Sequence, residues 1–305
     1  MNIDFSLLEC LDAVVTEGSF DKAAQVLSIT QSAVSQRIRA LEQQVGLPLL
    51  FRTRPVRPTP AAQPLLRFAR QTRLLAMEVW PEVASSVSQG QLRIAVNADS
   101  LGTWVLPALR EWMQSHAVTL EFVVDDQTLT QARLRNGEVL GSIGSDPVAA
   151  KGFSSVPLGE MVYVCAASPE FMQRHFPHGL NLNAARSAPA LVFNRRDALQ
   201  ADHLTRCLGW REPRFPHHFV PAFEAYLLAA ILGYGYGMMP LDQCQAALDS
   251  GQLVNVTPDV VVRIPLYWHT WQLESELISS LGKALVAGAK QALDPIHAPE
   301  PGQGN

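Results

Sequence analysis

The sequence is short of the features that mark several protein classes. Its four cysteines, Cys10, Cys165, Cys207 and Cys244, lie far apart with no CxxC spacing. That argues against a zinc site and a disulfide framework and leaves them as small buried hydrophobes. No apolar run reaches the roughly 18 residues that a membrane span needs. The opening MNIDFSLLECLDAVV carries acids and no basic n-region, so the expectation is a cytoplasmic protein with no membrane partner. No GxSxG elbow or other catalytic constellation is found, and the chain is expected not to be an enzyme. His175 with His178, and the pair His217 and His218, lack acidic or cysteine partners at suitable spacing, so neither metal nor cofactor is expected. The stretch GYGYGMMP at 233–240 follows a helix and precedes a strand, the reverse of a dinucleotide fingerprint. Its glycines are read as a tight αβ turn near a cleft.

What is present is a globular chain of 305 residues, 48% hydrophobic, long enough for two or three compact units. The formal net charge is −4, but its distribution is uneven. Between residues 31 and 73 stand Arg37, Arg39, Arg52, Arg54, Arg57, Arg67, Arg70 and Arg73 against a single acid, Glu42. Such a basic stripe inside an acidic protein is the footprint of a phosphate-binding surface, because nucleic-acid affinity comes largely from released counterions. A solvated charged face is the bland alternative.

Residues 6–17 place Leu7, Leu8, Leu11, Val14 and Val15 at helical spacing, and Gly18 stops the run. Ser19 caps a second short helix through Leu27, and Thr30 caps a third. On the third, Val34, Ile38, Leu41 and Val45 fall within about 60° of one another and are expected to pack inward. Ser32, Gln36, Arg39 and Gln43 lie on the far side, flanked by Gln31, Ser35 and Arg37. A generic soluble helix shows Glu and Lys there, whereas Gln, Ser and Arg can approach base edges and form paired hydrogen bonds. This is a helix-turn-helix pattern. LPLLFRTRPVRPTP follows, a proline-stiffened wing that would set Arg52, Arg54 and Arg57 on phosphates or in the minor groove. Thr59 and Pro60 then open a long helix running to about residue 88, with an apolar stripe of Leu65, Leu66, Ala69, Leu75, Val79 and Val83. A second copy of the same helix is the simplest partner for that stripe. Pro64 and Pro81 predict a late start and a kink or break near Trp80.

From residue 91 onward, short apolar runs at 92–96, 120–124, 139–143, 162–167, 190–193 and 237–239 alternate with helical stretches, the pattern of βα units in a doubly wound fold. Ligands of such sheets sit beyond the carboxyl ends of the strands. There stand Asp99 and Ser100, with Thr103 a turn on, where backbone N–H groups suit an α-carboxylate. Asp125, Asp126, Gln127 and Thr128 follow the second run, Ser145 the third, Asn194 the PALVF run, and Glu224 opens AYLLAAIL. Carboxylates with few cations would favour a cationic ligand, although acids at helix starts also serve as caps. The aromatic stretch WHTW at 268–271 is read as cleft-edge or core packing.

The segment AAQVLSITQSAVSQRIRALEQQVGLPLLFRTRPVRPTPAAQ resembles the LysR-type transcriptional regulators, with Ala62 where such proteins commonly carry glycine. LRIAVNADSLGTWVLPAL, VVDDQTLTQARLRNGEVLGSIG and PLYWHTWQLES are similar to the branch that responds to lysine and arginine and activates basic amino-acid exporters, also called chromosome replication initiation inhibitors. The resemblance implies an α/β architecture in three parts. A winged helix-turn-helix would occupy 1–60, a dimerising linker helix 61–88, and a periplasmic-binding-protein-like effector domain 91–305, with subdomain one at 92–163 and 269–292 and subdomain two at 164–268. It implies a homodimer or homotetramer on double-stranded promoter DNA, acting on polymerase access, with a basic amino acid as effector. A family member with a different effector and an exported solute-binding protein are the competing readings.

Overall fold

The computed structural model describes residues 4–83, 90–124 and 132–297. Helix α1 (Phe5–Glu17) starts where Asp4 accepts the Ser6 N–H and ends at Gly18, whose left-handed φ of 62° turns the chain into α2 (Phe20–Val26). Helix α3 (Gln31–Val45) starts where Thr30 accepts the Ala33 N–H and stops at Gly46, also left-handed. Leu8, Leu11, Val14, Ala23, Val34, Ile38 and Leu41 form one small core with Leu49. Val45, expected to pack inward, is 37% exposed, because it closes the helix where the chain turns away at Gly46. Strands β1 (Leu50–Phe51) and β2 (Arg57–Pro58) pair antiparallel and hold the wing between them.

Helix α4 (Ala62–Val83) begins two residues after Pro60, so that Pro64 falls in its first turn, where a missing N–H costs no hydrogen bond. The expected break near Trp80 is absent, and the helix is continuous to Val83. Ala62 is fully buried and helical, so the glycine common at this joint is not required by the backbone here. The expected apolar stripe divides: Leu66 and Ala69 pack into the N-terminal core, while Val79 is about half exposed, as is Phe68, which was not part of that stripe.

The remainder is built on one seven-stranded mixed sheet of order β10 (Val254–Asn255), β6 (Phe153–Ala167), β11 (Val262–Trp271), β5 (Gly141–Gly144), β3 (Gly90–Val96), β4 (Val118–Val124), with β9 (Gly237–Pro240) also on β6. Strand β3 (Gly90–Val96) pairs parallel with β4 (Val118–Val124) and β5 (Gly141–Gly144), as the βα pattern predicts. Strands β6 (Phe153–Ala167) and β11 (Val262–Trp271) are long and antiparallel to one another, a pairing that the βα pattern alone did not indicate. Pro157, Gly159 and Pro265 hid their length, since each interrupts a strand signal. Here a bulge between Leu266 and Tyr267 absorbs the irregularity.

β6 pairs with β11 up to Tyr163, and from Tyr163 onward with β9 (Gly237–Pro240) and β10 (Val254–Asn255). It therefore passes from one α/β subdomain into the other. The first carries α5 (Ala98–Ser100), a π turn (Leu101–Val105) and α6 (Leu106–Ser115), with α12 (Glu276–Ala292) against α6. The second carries α7 (Pro169–His175), α8 (Leu182–Ser187), α9 (Leu199–Leu208), α10 (Phe223–Ile231) and α11 (Leu241–Asp249), with β7 (Ala190–Val192) parallel to β8 (His217–Phe219). Trp268 and Trp271 are buried, and Trp268 fits only because Gly141 has no side chain: a Cβ there would lie 2.1 Å from the indole. The glycines of 233–237 make the turn from α10 into β9. No helix among the described residues is long and apolar enough to cross a membrane.

Helix α4 joins the two halves. Arg70 Nε donates to Asp12 of α1 at 2.6 Å, while its Nη1 donates to the Gly137 carbonyl at 2.7 Å. Glu78 accepts the Leu277 N–H at 2.8 Å and so caps α12.

Candidate nucleic-acid interface and effector cleft

On α3 the inward positions are taken by Val34, Ile38 and Leu41, which turns Gln31, Ser32, Gln36 and Arg39 to the outside, all exposed. Gln31 Nε2 donates to Ser35 Oγ at 3.3 Å. Arg37 is half-buried and leans back toward Cys10 of α1, with Nη1 3.7 Å from the sulfur. Arg52, Arg54 and Arg57 are exposed on the wing. The segment's one acid, Glu42, is turned inward to accept the Leu49 N–H at 2.9 Å.

The stripe of eight arginines is not one surface. Arg70 and Arg73 both reach Asp12, at 2.6 and 3.5 Å, and Arg67 donates to the Arg135 carbonyl. These three fasten α4 to its neighbours. Arg39, Arg52, Arg54 and Arg57 are the exposed arginines of α3 and the wing.

Between the two subdomains lies a cleft of about 740 Å³. Of the residues singled out in the sequence, Asp99, Ser145 and Asn194 line it. Ser100 is fully buried behind them, its hydroxyl without a partner among the described residues. Thr103 donates to the Asp99 carbonyl at 2.6 Å and, with Glu224, faces a separate hollow beside Phe223. Gly102 allows that approach, since a Cβ there would lie 2.6 Å from the Phe223 ring. Asp125, Asp126, Gln127 and Thr128 lie outside the described residues.

The cleft also holds groups that the sequence reading did not single out: Asn97, Tyr163, Asp197 and Asp202. Tyr163 donates its phenolic O–H to Asp99 Oδ2 at 2.7 Å. Burial is the main cause that raises the Asp99 carboxyl from 3.8 to about 6; the Tyr163 hydrogen bond opposes it, and the nearby Asp197 charge adds to it. Burial and the Asp99 charge in turn push the Tyr163 phenol well up. Asp197 accepts the N–H groups of Phe193 (3.0 Å) and Leu199 (2.9 Å), the second at the start of α9. That capping pattern was readable in FNRRDALQ; Tyr163, in the middle of a strand, gave no signal. Arg195 at the rim lies over the Phe219 ring, 5.2 Å from its centroid. Among the described residues, no three His, Cys, Asp or Glu side chains come together as a metal site.

Residues 5–63 match the family described as bacterial regulatory helix-turn-helix protein, lysR family, and residues 85–290 match the LysR substrate binding domain. An HTH-type transcriptional regulator ArgP from Aeromonas salmonicida is 41% identical over 295 residues, which is 96% of this chain and 99% of that protein. The crystal structure of ArgP from Mycobacterium tuberculosis superposes with a TM-score of 0.85 at 39% identity, covering 97% of this chain and all of that one. Full-length LysG from Corynebacterium glutamicum, solved with bound effector Arg, gives 0.77 at 32% identity, covering 96% and 100%. With both halves matched and the two-subdomain effector fold in place, the chain belongs to the LysR family and is a DNA-binding transcriptional regulator with an effector domain.

Proposed function

We propose that this regulator responds to a basic amino acid, lysine or arginine, and controls a basic amino-acid exporter or related metabolism. The observation that carries the reading is the cleft's carboxylates: Asp99, Asp197 and Asp202 line it against two cations, Arg195 and Arg196, in a volume ample for an amino acid. The arginine bound to LysG, at 32% identity, and the ArgP relatives at about 40% support it. The α-carboxylate would sit against the free N–H groups where α5 begins, with Ser145 and Asn194 as further polar contacts and Asp99 toward the cationic end. Asp125, Asp126, Gln127 and Thr128 would complete that shell, with Ser100 backing it, whereas Thr103 and Glu224, expected in the same shell, face the neighbouring hollow.

Gln31, Ser32, Ser35, Gln36 and Arg39 would read bases in a major groove, with Arg37, Arg52, Arg54 and Arg57 on phosphates or in the minor groove. Phe68, Leu75 and Val79 share one face of α4 and are left to a second copy of the helix, supporting a dimer that pairs into a tetramer on promoter DNA. The domain limits follow the three parts: 1–60, 61–88 and 91–305. In this reading the regulator works in the cytoplasm without catalysis or a cofactor and acts on RNA polymerase access. Effector binding would change the angle between the subdomains and hence the spacing of the DNA-binding heads; a preference of about 1–3 kcal/mol for one arrangement is enough.

Two measurements test this together. A thermal-shift panel of the twenty amino acids should single out lysine or arginine, and gel retardation should show salt-dependent binding to a dyad site with half-sites about 10 bp apart or a multiple of that. Shifts by acidic or aromatic amino acids alone would refute the effector assignment, and no retardation at low salt would refute the DNA assignment.

A further inference from the structure

Tyr163 occupies an unusual place. It is the residue of β6 at which pairing passes from β11 (Tyr163 opposite Val262) to β9 (Tyr163 opposite Pro240), so it sits where the chain crosses between subdomains. It is almost fully buried, and its hydroxyl holds one oxygen of Asp99 on the subdomain-one wall. Asp197, fixed by two backbone N–H groups, supplies negative charge from the subdomain-two wall, near enough to raise the Asp99 carboxyl. Beside them, Asn97 lines the same cleft, a residue only 6% exposed whose Oδ1 has no hydrogen-bond partner among the described residues. A buried acceptor without a donor is costly and calls for one. Two carboxylates and an unfilled acceptor that line one cleft are together satisfied by a group that is both cationic and rich in N–H donors.

We propose that Asp99, Asp197 and the Asn97 carbonyl form the anchor for the effector's side-chain cation, and that Tyr163 is the positioning residue that aims Asp99 at it. The inference rests on the reading of the cleft as a basic amino-acid site and adds which residues recognise the charge. Without the cation, the two acids oppose closure of the subdomains; with it, they draw together on the strand that carries Tyr163. Selectivity for charge and movement at the crossover then have one origin. A neutral ligand of the same shape lacks the charge to bring the walls together.

The test compares arginine with citrulline, its neutral near-isostere, by titration calorimetry on the full-length wild type and on Tyr163→Phe and Asp99→Asn. The wild type should bind arginine at least about tenfold more tightly than citrulline. Asp99→Asn should abolish that preference. Tyr163→Phe, which keeps the ring, should weaken arginine about tenfold while leaving citrulline within about twofold. A purely structural role for Tyr163 would weaken both ligands together and overturn the assignment, as would unaltered arginine binding in either variant. If the wild type binds neither arginine nor lysine, the effector reading itself falls and takes the anchor with it. Wild-type arginine binding with an unchanged arginine-to-citrulline ratio in the variants refutes the anchor alone.

Discussion

Replacing Arg70 by alanine should loosen the joint between the DNA-binding and effector halves. Asp12 and Arg70 are paired with side chains only 10% and 11% exposed, and the same guanidinium donates to the Gly137 carbonyl. Removing one partner of a buried pair costs about 3–5 kcal/mol, because the remaining charge stays desolvated. Arg73 stays within 3.5 Å of Asp12 but is 55% exposed, so its compensation is partial and about 3 kcal/mol is expected. Amides of α1 whose exchange requires separation from α4 should then exchange on the order of 100-fold faster with deuterium, since about 1.4 kcal/mol is a factor of ten. Mass-spectrometric hydrogen exchange of peptides from residues 4–18 reads this without requiring two-state unfolding of the whole chain. Asp12→Ala combined with Arg70→Ala should cost clearly less than the two changes added, because no unpaired charge is left. Unchanged exchange in Arg70→Ala, or strict additivity in the double variant, would refute the argument.

Arg39→Ala or Gln36→Ala should weaken binding to the specific site by about 1–3 kcal/mol and leave amino-acid affinity unaltered, checked by fluorescence anisotropy and calorimetry on the same preparations; loss of amino-acid binding would contradict that separation. Gly288→Ala should destabilise the packing of α12 on α6 by about 1–3 kcal/mol in urea unfolding, because a Cβ there would lie 2.1 Å from that of Ala108 and the helices would have to part. Ionised Asp99 is the form that attracts a cation, so with its carboxyl at about 6 arginine affinity should fall about tenfold between pH 7.5 and pH 5. The linked effect on the ligand-free protein has the opposite sense. A carboxyl raised in the folded state contributes stability that is present below pH 3.8 and lost as pH rises through about 6, and Asp99→Asn should remove that slope from a series of thermal melts.

The readings that came directly from the chain were the local ones. Ser19, Thr30, Gly18 and Gly46 bound the first three helices because capping and left-handed turns depend on a few adjacent residues. The face of α3 was legible from its 3.6-residue period, and the parallel pairs of β3, β4 and β5 from alternating βα runs. Charge was legible only as a sum. Linear order placed Arg67, Arg70 and Arg73 with the arginines of the wing, yet the helical turn of α4 aims them at Asp12 and the effector half. The antiparallel β6 and β11 were obscured by their own prolines and glycine, whose effect is cancelled by a bulge that no local rule anticipates.

The helix-turn-helix with its arginine wing, the long helix and an α/β half resembling an effector domain were all legible in the linear chain. The helices, the wing and the α/β alternation rest on periodicity, caps and composition within a few turns of chain, and the effector-domain likeness on the family resemblance. Tertiary structure alone decided that Asp99, from the start of α5, meets Tyr163, 64 residues away, and faces Asp197 across the cleft. It also decided that Glu224 and Thr103 stand in a neighbouring hollow. Those placements depend on where a crossover strand changes partners, and hydrogen-bond pairing between distant segments leaves no periodic trace in either one.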